Sequence, residues 1–424
     1  MEHLSKSPVF PTEIIELIID HLQGDTKALM RISETSHTIL HLCRRCLFRS
    51  VNLGGTSISN TFMDLVQYNP TVGQYVRELA LHVNALDRQT DPSYWRPGDA
   101  SNIPLLTQTP FVEKLSIHGC IPPPTSSWNF LCPTFQQPIL NCIHSASLTE
   151  LSIYSFEIPV TIFQSCVNLS ALTIIQVKDS GKTEPIDQAR MSSCSPQPMT
   201  IPQLRSFELD ISSDSFALAL VRDRDSDGHP LIRFDGLKTL IVHCDRQQEL
   251  QHVIEDIRKE AIGLETFACR GITEATQWPD FSRFSTLKTL KGQCSHPPSS
   301  GDLLLGLCEK LQVFPQPNTL ETLDIEILMP ALWDRKFIST QNEGGQLDVV
   351  LSHGFPRLHR VSINVVIPYH PRYPNLESSE LREEVAAVRE RFPWLNENAA
   401  VKFNFSTSLL FKWGHRIRLF FHPL

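Results

Sequence analysis

The hydrophobic pattern divides the chain into a short helical start and a long series of strand-like motifs. Near the start, apolar residues recur every three or four positions, which places them on one face of a helix. From about residue 75 to residue 365, a different pattern recurs, apolar-x-x-apolar-x-apolar, which predicts short strands. The chain is therefore expected to be α/β, with a small helical segment ahead of a long repetitive one.

The first helix is predicted to open at Pro11, because proline is tolerated at the first helical position and Glu13 suits the positive end of the helix dipole. Gly24 favours its end, and Asp25 and Ser36 are positioned to open a second and a third helix. The first helix carries a wide apolar stripe: Ile14, Ile15, Leu17, Ile18, Ile19 and Leu22. Three helices this short have too few residues for a stable core of their own. Part of the stripe is therefore expected to face a partner.

Several stretches of this segment match a known pattern, and Ser36 stands where that pattern usually has serine. The stretches are Phe10-Pro11-Thr12-Glu13-Ile14-Ile15, Ile18-Ile19-Asp20-His21-Leu22, Lys27-Ala28-Leu29 and Leu47-Phe48-Arg49-Ser50-Val51. Residues 9–53 thereby resemble the F-box domain, in the form common in mushroom-forming fungi. The chain has Phe10 where leucine is more common, Ile32 where cysteine is frequent and Ile39 where tryptophan is usual, and all three replacements are apolar.

The resemblance implies a docking module for the small adaptor subunit of cullin-based (SCF) ubiquitin ligases. Carried over to this sequence, the adaptor-binding residues would be Phe10, Pro11, Ile14, Ile15, Ile18, Leu22 and Leu29. The alternative is that these residues form an ordinary N-terminal helical cap over the next domain.

The strand-like motif is the signature of leucine-rich repeats. Its middle apolar residues are Leu79, Leu115, Leu151, Leu172, Phe207, Leu240, Phe267, Leu290, Leu323 and Val361. The steps between them run from 21 to 38 residues, and most are longer and less even than in regular leucine-rich repeats. Several motifs share a set-up phrase, as in Ser147-Leu148-Thr149-Glu150-Leu151, Thr286-Leu287-Lys288-Thr289-Leu290 and Thr319-Leu320-Glu321-Thr322-Leu323. This recurrence favours true repeats over isolated strands.

Helix-like spacers separate the strand motifs, most clearly at residues 249–261. A repeated strand and helix predicts an irregular solenoid with a parallel concave sheet and convex helices. The alternative is a general α/β protein with ordinary strands. The predicted domains are the F-box-like helices at 1–53, a connecting segment at 54–75, the repeat domain at 76–405 and a capping tail at 406–424.

Side chains alternate along a strand, so the residues flanking each third apolar position face outward. An outward face with varied side chains suits protein recognition. The alternative, for each individual residue, is that it is ordinary strand surface exposed to solvent. The candidate target-binding residues are His118, Tyr154, Glu208, Asp210, His243, Arg270, Asp324 and Glu326. Near the end, residues 376–392 read as an amphipathic helix, and Val401, Phe403 and Phe405 alternate as a last edge strand.

Composition narrows the class of protein. Apolar residues make up 41% and charged residues 20%, which is typical of a folded chain. The net charge is −8, whereas a general nucleic-acid binder is expected to carry an excess of positive charge. The chain shows no secretory signal and no apolar stretch near the ~20 residues of a membrane span. With 11 scattered cysteines, it is expected to be a cytoplasmic or nuclear protein with reduced thiols, bound neither to nucleic acid nor to a membrane.

Two clusters imitate chemical sites. His37, His41, Cys43 and Cys46 lie close together, but on one helix the histidines and cysteines point in opposite directions, so no zinc site is expected. Residues 223–228 imitate a calcium loop, yet Pro230 interrupts it and Phe234 stands where a glutamate ligand belongs. No phosphate loop, dinucleotide fingerprint or nucleophile elbow is present, so neither catalysis nor a cofactor is expected.

The leading hypothesis is a substrate-recognition subunit of an SCF-type ubiquitin ligase. It would dock the adaptor, and through it a cullin, with its first helices and hold a target protein on the repeat face. The alternative is a leucine-rich-repeat binding scaffold with no coupling to ubiquitin ligase, for which the replacements at Ile32 and Ile39 are the motivation.

Overall fold

The structure is a computed structural model of the 424-residue chain. It describes residues 11–53, 56–83, 106–119, 127–131, 133–181, 201–210, 213–224, 228–244, 250–273, 278–282, 284–295, 304, 306–315, 318–328, 343–368, 389–410 and 416–419. The chain divides into two compact units, one of residues 1–172 and 177–202 and the other of residues 173–176 and 203–424. The boundaries predicted from the sequence stay predictions.

Helices and parallel strands make up both units. The α-helices are α1 Thr12–His21, α2 Thr26–Ser33, α3 His37–Leu47, α4 Thr56–Tyr68, α5 Pro133–Ile143, α6 Asp214–Arg222, α7 Leu250–Glu260, α8 Leu307–Gln312, α9 Glu343–Gly354 and α10 Pro393–Glu397. The strands are β1 Ser50–Leu53, β2 Glu78–Val83, β3 Lys114–Gly119, β4 Glu150–Tyr154, β5 Glu157–Ile158, β6 Ala171–Ile175, β7 Lys178–Asp179, β8 Ser206–Asp210, β9 Thr239–His243, β10 Thr266–Ile272, β11 Thr289–Ser295, β12 Thr322–Leu328, β13 Arg360–Pro368, β14 Lys402–Leu410 and β15 Arg416–Leu419.

The three N-terminal helices begin where polar side chains cap them. The Asp25 carboxylate accepts the N–H of Ala28 at 3.0 Å, and the Ser36 hydroxyl accepts the N–H of Ile39 at 3.2 Å. The predicted cap at Asp25 and the predicted start of the third helix near Ser36 are therefore confirmed. Pro11 lies just before α1 rather than at its first position.

A small core holds these helices together. Its fully buried members are Ile19, Leu29, Leu42 and Cys43. Half-buried apolar side chains pack around them: Ile15, Leu22, Ile32, Ile39, Cys46 and Leu47. Leu29 is 0% exposed, so its assignment to the adaptor-binding set is corrected: in this fold its side chain is a core residue with no surface to offer a partner.

The middle residue of every one of the ten predicted strand motifs lies in a strand, and the middle residues of hydrogen-bonded neighbours stand side by side. In the first unit the paired inward residues are Val51, Leu79, Leu115 and Leu151. In the second unit they are Phe207, Leu240, Phe267, Leu290, Leu323, Val361 and Phe403. All of these strands pair in parallel, which fits the predicted repetition of strand and spacer. The residues that alternate with them are mostly half-exposed, and the inward ones are mostly buried.

A forked hydrogen bond recurs at the start of successive strands. The carbonyl of Arg49 accepts the N–H groups of Arg77 and Glu78 at 2.8 and 2.9 Å. In the second unit, the carbonyl of Glu265 accepts those of Lys288 and Thr289 at the same distances. The same geometry in both units supports a common repeat.

The recurrent set-up phrase also has a physical role. Its first hydroxyl reaches two carbonyls of the preceding repeat and so joins neighbouring repeats. Thr319 Oγ1 lies 3.1 Å from the Ser285 carbonyl and 2.9 Å from the Leu287 carbonyl. Thr286 contacts the carbonyls of Ile262 and Leu264, and Ser147 contacts those of Pro110 and Val112, in the same way.

The spacers between strands are of different kinds, which accounts for the uneven steps. The predicted helix at residues 249–261 is confirmed as α7, which buries Val253 and Ile257. A 3₁₀ helix at Val160–Ser165 spans a shorter interval. Because a short 3₁₀ helix uses fewer residues than an α-helix, the number of residues in a repeat varies although neighbouring strands still pair side by side.

Two expectations differ from the structure. The segment at 54–75, expected only to connect, contains α4 and a 3₁₀ helix at Pro70–Tyr75. The strand β14 begins as predicted but continues to Leu410 and pairs antiparallel with β15, so it is not the edge strand and residues 406–410 belong to the sheet rather than to a tail. Most of the amphipathic segment at 376–392, and part of the imitation calcium loop at 223–228, lie outside the described residues.

In the described part of the chain, no helix has both the length and the apolar character needed to cross a membrane.

Candidate protein-binding surfaces

The first helix has two apolar sides. Ile19 is buried and its neighbours Ile15 and Leu22 are half-buried against the core. On the other side, Ile14, Leu17 and Ile18 are 42%, 66% and 50% exposed. At about 100° per residue these three lie along one arc of α1. We call them the α1 face.

The α1 face includes part of the predicted adaptor-binding set. Ile14 and Ile18 belong to it, and Pro11 is exposed at the adjacent end of the helix. Phe10 lies outside the described residues. Leu17 belongs to the predicted apolar stripe but not to the predicted adaptor-binding set, because the stretches that match the family pattern do not include it, yet it is the most exposed apolar residue of α1. Met30 of α2 is also 60% exposed.

In the first unit, three rings stand in register on neighbouring strands. His82 of β2, His118 of β3 and Tyr154 of β4 pair directly across the sheet. Adjacent ring centroids are 4.6 Å apart, and the planes are inclined by 11° and 8°. We call this row the aromatic ladder. It brings two of the predicted target-binding residues, His118 and Tyr154, together with His82.

The folded protein disfavours the protonated, positively charged form of the two histidines in the ladder. Burial lowers the pKa of His82, and burial together with the neighbouring His82 lowers the pKa of His118. At neutral pH the ladder is therefore an uncharged, half-buried ridge.

Below the ladder the same face carries small and then charged side chains. The next outward row holds Ala80, Ser116 and Ser152, all half-buried. The row beyond it includes Lys114 and Glu150, whose Nζ and Oε2 atoms lie 2.9 Å apart. The first unit thus presents an aromatic ridge and a charged row on either side of a low strip, a relief that side chains of another protein can fill.

In the second unit, three of the predicted residues form an ionic cluster. His243 Nε2 lies 2.7 Å from Glu208 Oε1, and the Arg270 guanidinium lies 3.6 Å from the same oxygen. The hydrogen bond with His243 is the main cause that lowers the pKa of Glu208, and the charges of His243 and Arg270 add to it. Arg270 is 51% exposed, so the cluster presents a guanidinium to a partner.

Asp210 was predicted to face outward beside this cluster, and the structure corrects this. Its carboxylate is 7% exposed and accepts hydrogen bonds from the Ser213 hydroxyl at 2.7 Å and the Gln176 N–H at 2.9 Å. A carboxylate bound in this way organises the ends of β6 and β8 rather than a partner. Asn364 and Ala268 each flank the third apolar position of their motif, so alternation along the strand predicts that they face outward, yet both are buried.

The last two predicted residues lie on β12 and are half-buried. Glu326 Oε1 accepts a hydrogen bond from the Gln293 amide at 2.5 Å, and Asp324 Oδ1 lies 3.8 Å from Arg360 Nε. They share the face of the ionic cluster within the second unit. The structure thus brings Glu208, His243 and Arg270 into direct contact and keeps Asp324 and Glu326 in separate pairs.

The imitation zinc cluster does not converge. His41 Nδ1 lies 2.6 Å from the Tyr75 hydroxyl, Cys43 is buried, and Cys46 Sγ points to Asp20 at 3.9 Å. Across the described ranges, no three histidine, cysteine or acidic side chains gather so as to hold a metal ion. Burial and the adjacent Cys46 raise the pKa of Cys43.

Comparison with known proteins adds no relative. A scan against protein-family models found no match, and a search of curated proteins found none either.

His82 was missed by the sequence analysis, yet a signal for it exists. It follows Leu81 just as His118 follows Ile117 and Tyr154 follows Ile153, so it holds the same place in its motif. Aligning the motifs by their third apolar residue would have predicted all three rings of the ladder.

Proposed function

We propose that this protein is the substrate-recognition subunit of a cullin-based ubiquitin ligase. The α1 face docks the adaptor subunit, and the outward residues of the strands hold a target protein. The chain supplies no chemistry of its own. It acts by proximity, raising the effective concentration of the target's lysines near the transfer machinery.

The observation that carries the proposal is the exposed α1 face. Ile14, Leu17 and Ile18 are adjacent on one helix, next to the side of that helix that already fills the helical core. Three neighbouring exposed large apolar side chains on one short helix are typical of a surface that another protein covers. The resemblance of residues 9–53 to the F-box domain is what suggests the adaptor as that protein.

The two replacements that set this sequence apart from the F-box pattern are accommodated within the core. Ile32 and Ile39 are half-buried and pack against Ile19, Leu29, Leu42 and Cys43. Both isoleucines therefore supply apolar contacts to this packed core. The replacements therefore do not favour the uncoupled scaffold over the ligase subunit.

The proposed target side of the protein rests on the aromatic ladder and the ionic cluster. Aromatic residues and arginine are enriched where protein interfaces gain most of their binding energy. The two features lie in different units, so each can be tested separately by substitutions in its own unit.

The test is co-purification of the full chain with the purified adaptor, comparing the wild type with Ile14→Asp and Ile18→Asp. Burying an unpaired polar group in the interface costs about 2–7 kcal/mol, so each variant should bind at least tenfold more weakly. Because both side chains are about half exposed in the free protein, the variants should unfold at nearly the wild-type temperature.

The matched control is Ile262→Asp, the same substitution at a 77% exposed isoleucine in the second unit. It should leave adaptor binding unchanged. If the wild type does not bind the adaptor, or if Ile18→Asp binds as well as Ile262→Asp, the ligase function is wrong. Target binding without any adaptor in the complex would then favour the scaffold.

A further inference from the structure

Two cysteine thiols touch on the inner side of the second unit, beneath the ionic cluster. Cys244 Sγ and Cys269 Sγ are 3.1 Å apart, and the residues are 6% and 2% exposed. They are 25 residues apart in sequence. Cys244 directly follows β9, and Cys269 lies within the neighbouring parallel strand β10. No property of a protein-recognition face requires two thiols in contact.

The backbone explains why these sulfur atoms meet. Val242 pairs with Cys269 in register, so Cys244 is the next inward residue beyond that pair. At this point β10 has an irregularity in its pairing with β11, and Gly271 adopts a positive φ of 73°. On the other edge of β10, the Cys244 N–H donates to the Arg270 carbonyl at 2.6 Å, which continues the regular ladder beyond the His243–Arg270 pair and fixes the chain after β9 against β10.

Two other buried cysteines, Cys142 and Cys166, make a different kind of contact. Cys142 Sγ and Cys166 Sγ each lie 3.6–3.7 Å from a backbone carbonyl, as ordinary buried thiols do. Burial raises the pKa of each of these two thiols to about 12. Cys142 and Cys166 therefore serve as controls: they are buried thiols that pack in the core and, among the described residues, have no second thiol in contact.

We propose that Cys244 and Cys269 are a redox modification site, which a peroxide converts from a dithiol to an intramolecular disulfide. The sulfur atoms need to approach by about 1 Å to reach bonding distance, a movement that a strand end can make. The modification is reversible by a thiol reductant. It goes beyond the proposed function and does not depend on it.

The chemistry proceeds in two balanced steps. The Cys244 thiol attacks hydrogen peroxide, and the products are a sulfenic acid on Cys244 and one water. The Cys269 sulfur then attacks the Cys244 sulfur, the S–S bond forms, and the hydroxyl leaves as a second water with the proton of the Cys269 thiol. Cys244 reacts first because it is the more exposed of the two. Its hydrogen bond with Cys269, together with burial, raises the pKa of Cys269 and keeps that thiol protonated.

The location gives the disulfide a consequence for the outward face. His243 directly precedes Cys244, and Arg270 directly follows Cys269. A covalent link between the two cysteines ties together the backbone that carries two of the three members of the ionic cluster. Oxidation therefore holds the separation of His243 and Arg270 within a narrower range.

The experiment treats the folded full-length protein with hydrogen peroxide, blocks remaining thiols after denaturation, and maps peptides without reduction. The expected result is a linked peptide pair containing Cys244 and Cys269, which disappears after dithiothreitol. The oxidised protein should also unfold about 5 °C higher than the reduced protein, because the link constrains the unfolded chain.

Three variants define the outcome. Cys244→Ala and Cys269→Ala should each remove the linked pair and the rise in unfolding temperature, whereas Cys166→Ala should retain both. Recovery of both cysteines as blocked thiols after prolonged oxidation would overturn the proposal. So would a linked pair that joins Cys269 to Cys294, its neighbour on β11, in place of Cys244.

Discussion

Two histidines of the aromatic ladder make the stability of the folded protein depend on pH. His82 and His118 stack face to face at 4.6 Å, and a positive charge on either ring is unfavourable beside the other. Burial lowers the pKa of both histidines, and burial also lowers the pKa of His144 in the same unit. The folded protein therefore binds these protons less readily than the unfolded chain does.

The sign of the pH effect follows from these shifts. As the pH falls below about 6.5, the unfolded chain takes up protons that the folded state resists, so the free energy of unfolding decreases. We expect the unfolding temperature of the full chain to fall between about pH 7.5 and about pH 5.5, and to fall less in His118→Gln.

The control for this prediction is His252→Gln, at an exposed position on α7. It should show the wild-type pH dependence when unfolding is followed by circular dichroism. An unfolding temperature that rises on acidification, or an equal slope in His118→Gln and His252→Gln, would show that the ladder histidines do not resist protonation.

Some predictions for individual residues were wrong because the burial of a side chain depends on its neighbours in space, which its place in the sequence does not show. Leu29 matches a docking residue of the F-box pattern, but it packs in the core with residues of α3. Asp210 has the spacing of an outward strand residue, but Ser213 and Gln176 donate hydrogen bonds to its carboxylate. Gly292 breaks the inward pattern of β11 because a side chain there would overlap the Trp278 ring, which fills the space. Each case depends on a neighbour that is distant in sequence or that belongs to another element.

At the scale of elements, the strands could be predicted and the spacers only in part. The strand motif is local and its apolar positions are buried in every repeat, so periodicity alone located all ten motifs. The helix α4 and the hairpin of β14 and β15 were missed because their formation depends on what they pack against or pair with. The set-up phrase was recognised from its recurrence, but its hydrogen bonds to the preceding repeat required the structure.

The hydroxyl of that phrase offers a test of how one repeat stabilises the next. Thr319→Val keeps the shape of the side chain and removes the donor to the Ser285 and Leu287 carbonyls. We expect the free energy of unfolding to decrease by about 0.5–1.5 kcal/mol, as for the loss of one hydrogen bond. The decrease should appear as a lower midpoint in urea with an unchanged slope.

Thr289→Val is the matched control, because Thr289 is a half-exposed outward residue of β11 with no side-chain hydrogen bond among the described contacts. Valine suits a strand as well as threonine does, so this variant should unfold near the wild-type midpoint. Equal midpoints for the two variants would mean that the phrase hydroxyl does not contribute to stability.

At the scale of the whole molecule, two different parts of the chain present two different kinds of surface. The helical start provides an apolar α1 face outside its own core, and the strands of the two units provide outward rows of rings and charges. The sequence predicted the first of these from an apolar stripe too wide to bury, and the second from alternation along the strands. It did not predict which outward residues contact one another, because strand register sets those contacts.

The central claim is that the α1 face is the surface that the adaptor covers. The most direct measurement is amide hydrogen exchange of the full chain with and without the purified adaptor. Binding should slow exchange in α1 and leave β12 unchanged, and Ile18→Asp should remove the effect. An adaptor that binds without slowing exchange in α1, or that slows exchange only among the strands, would contradict the claim.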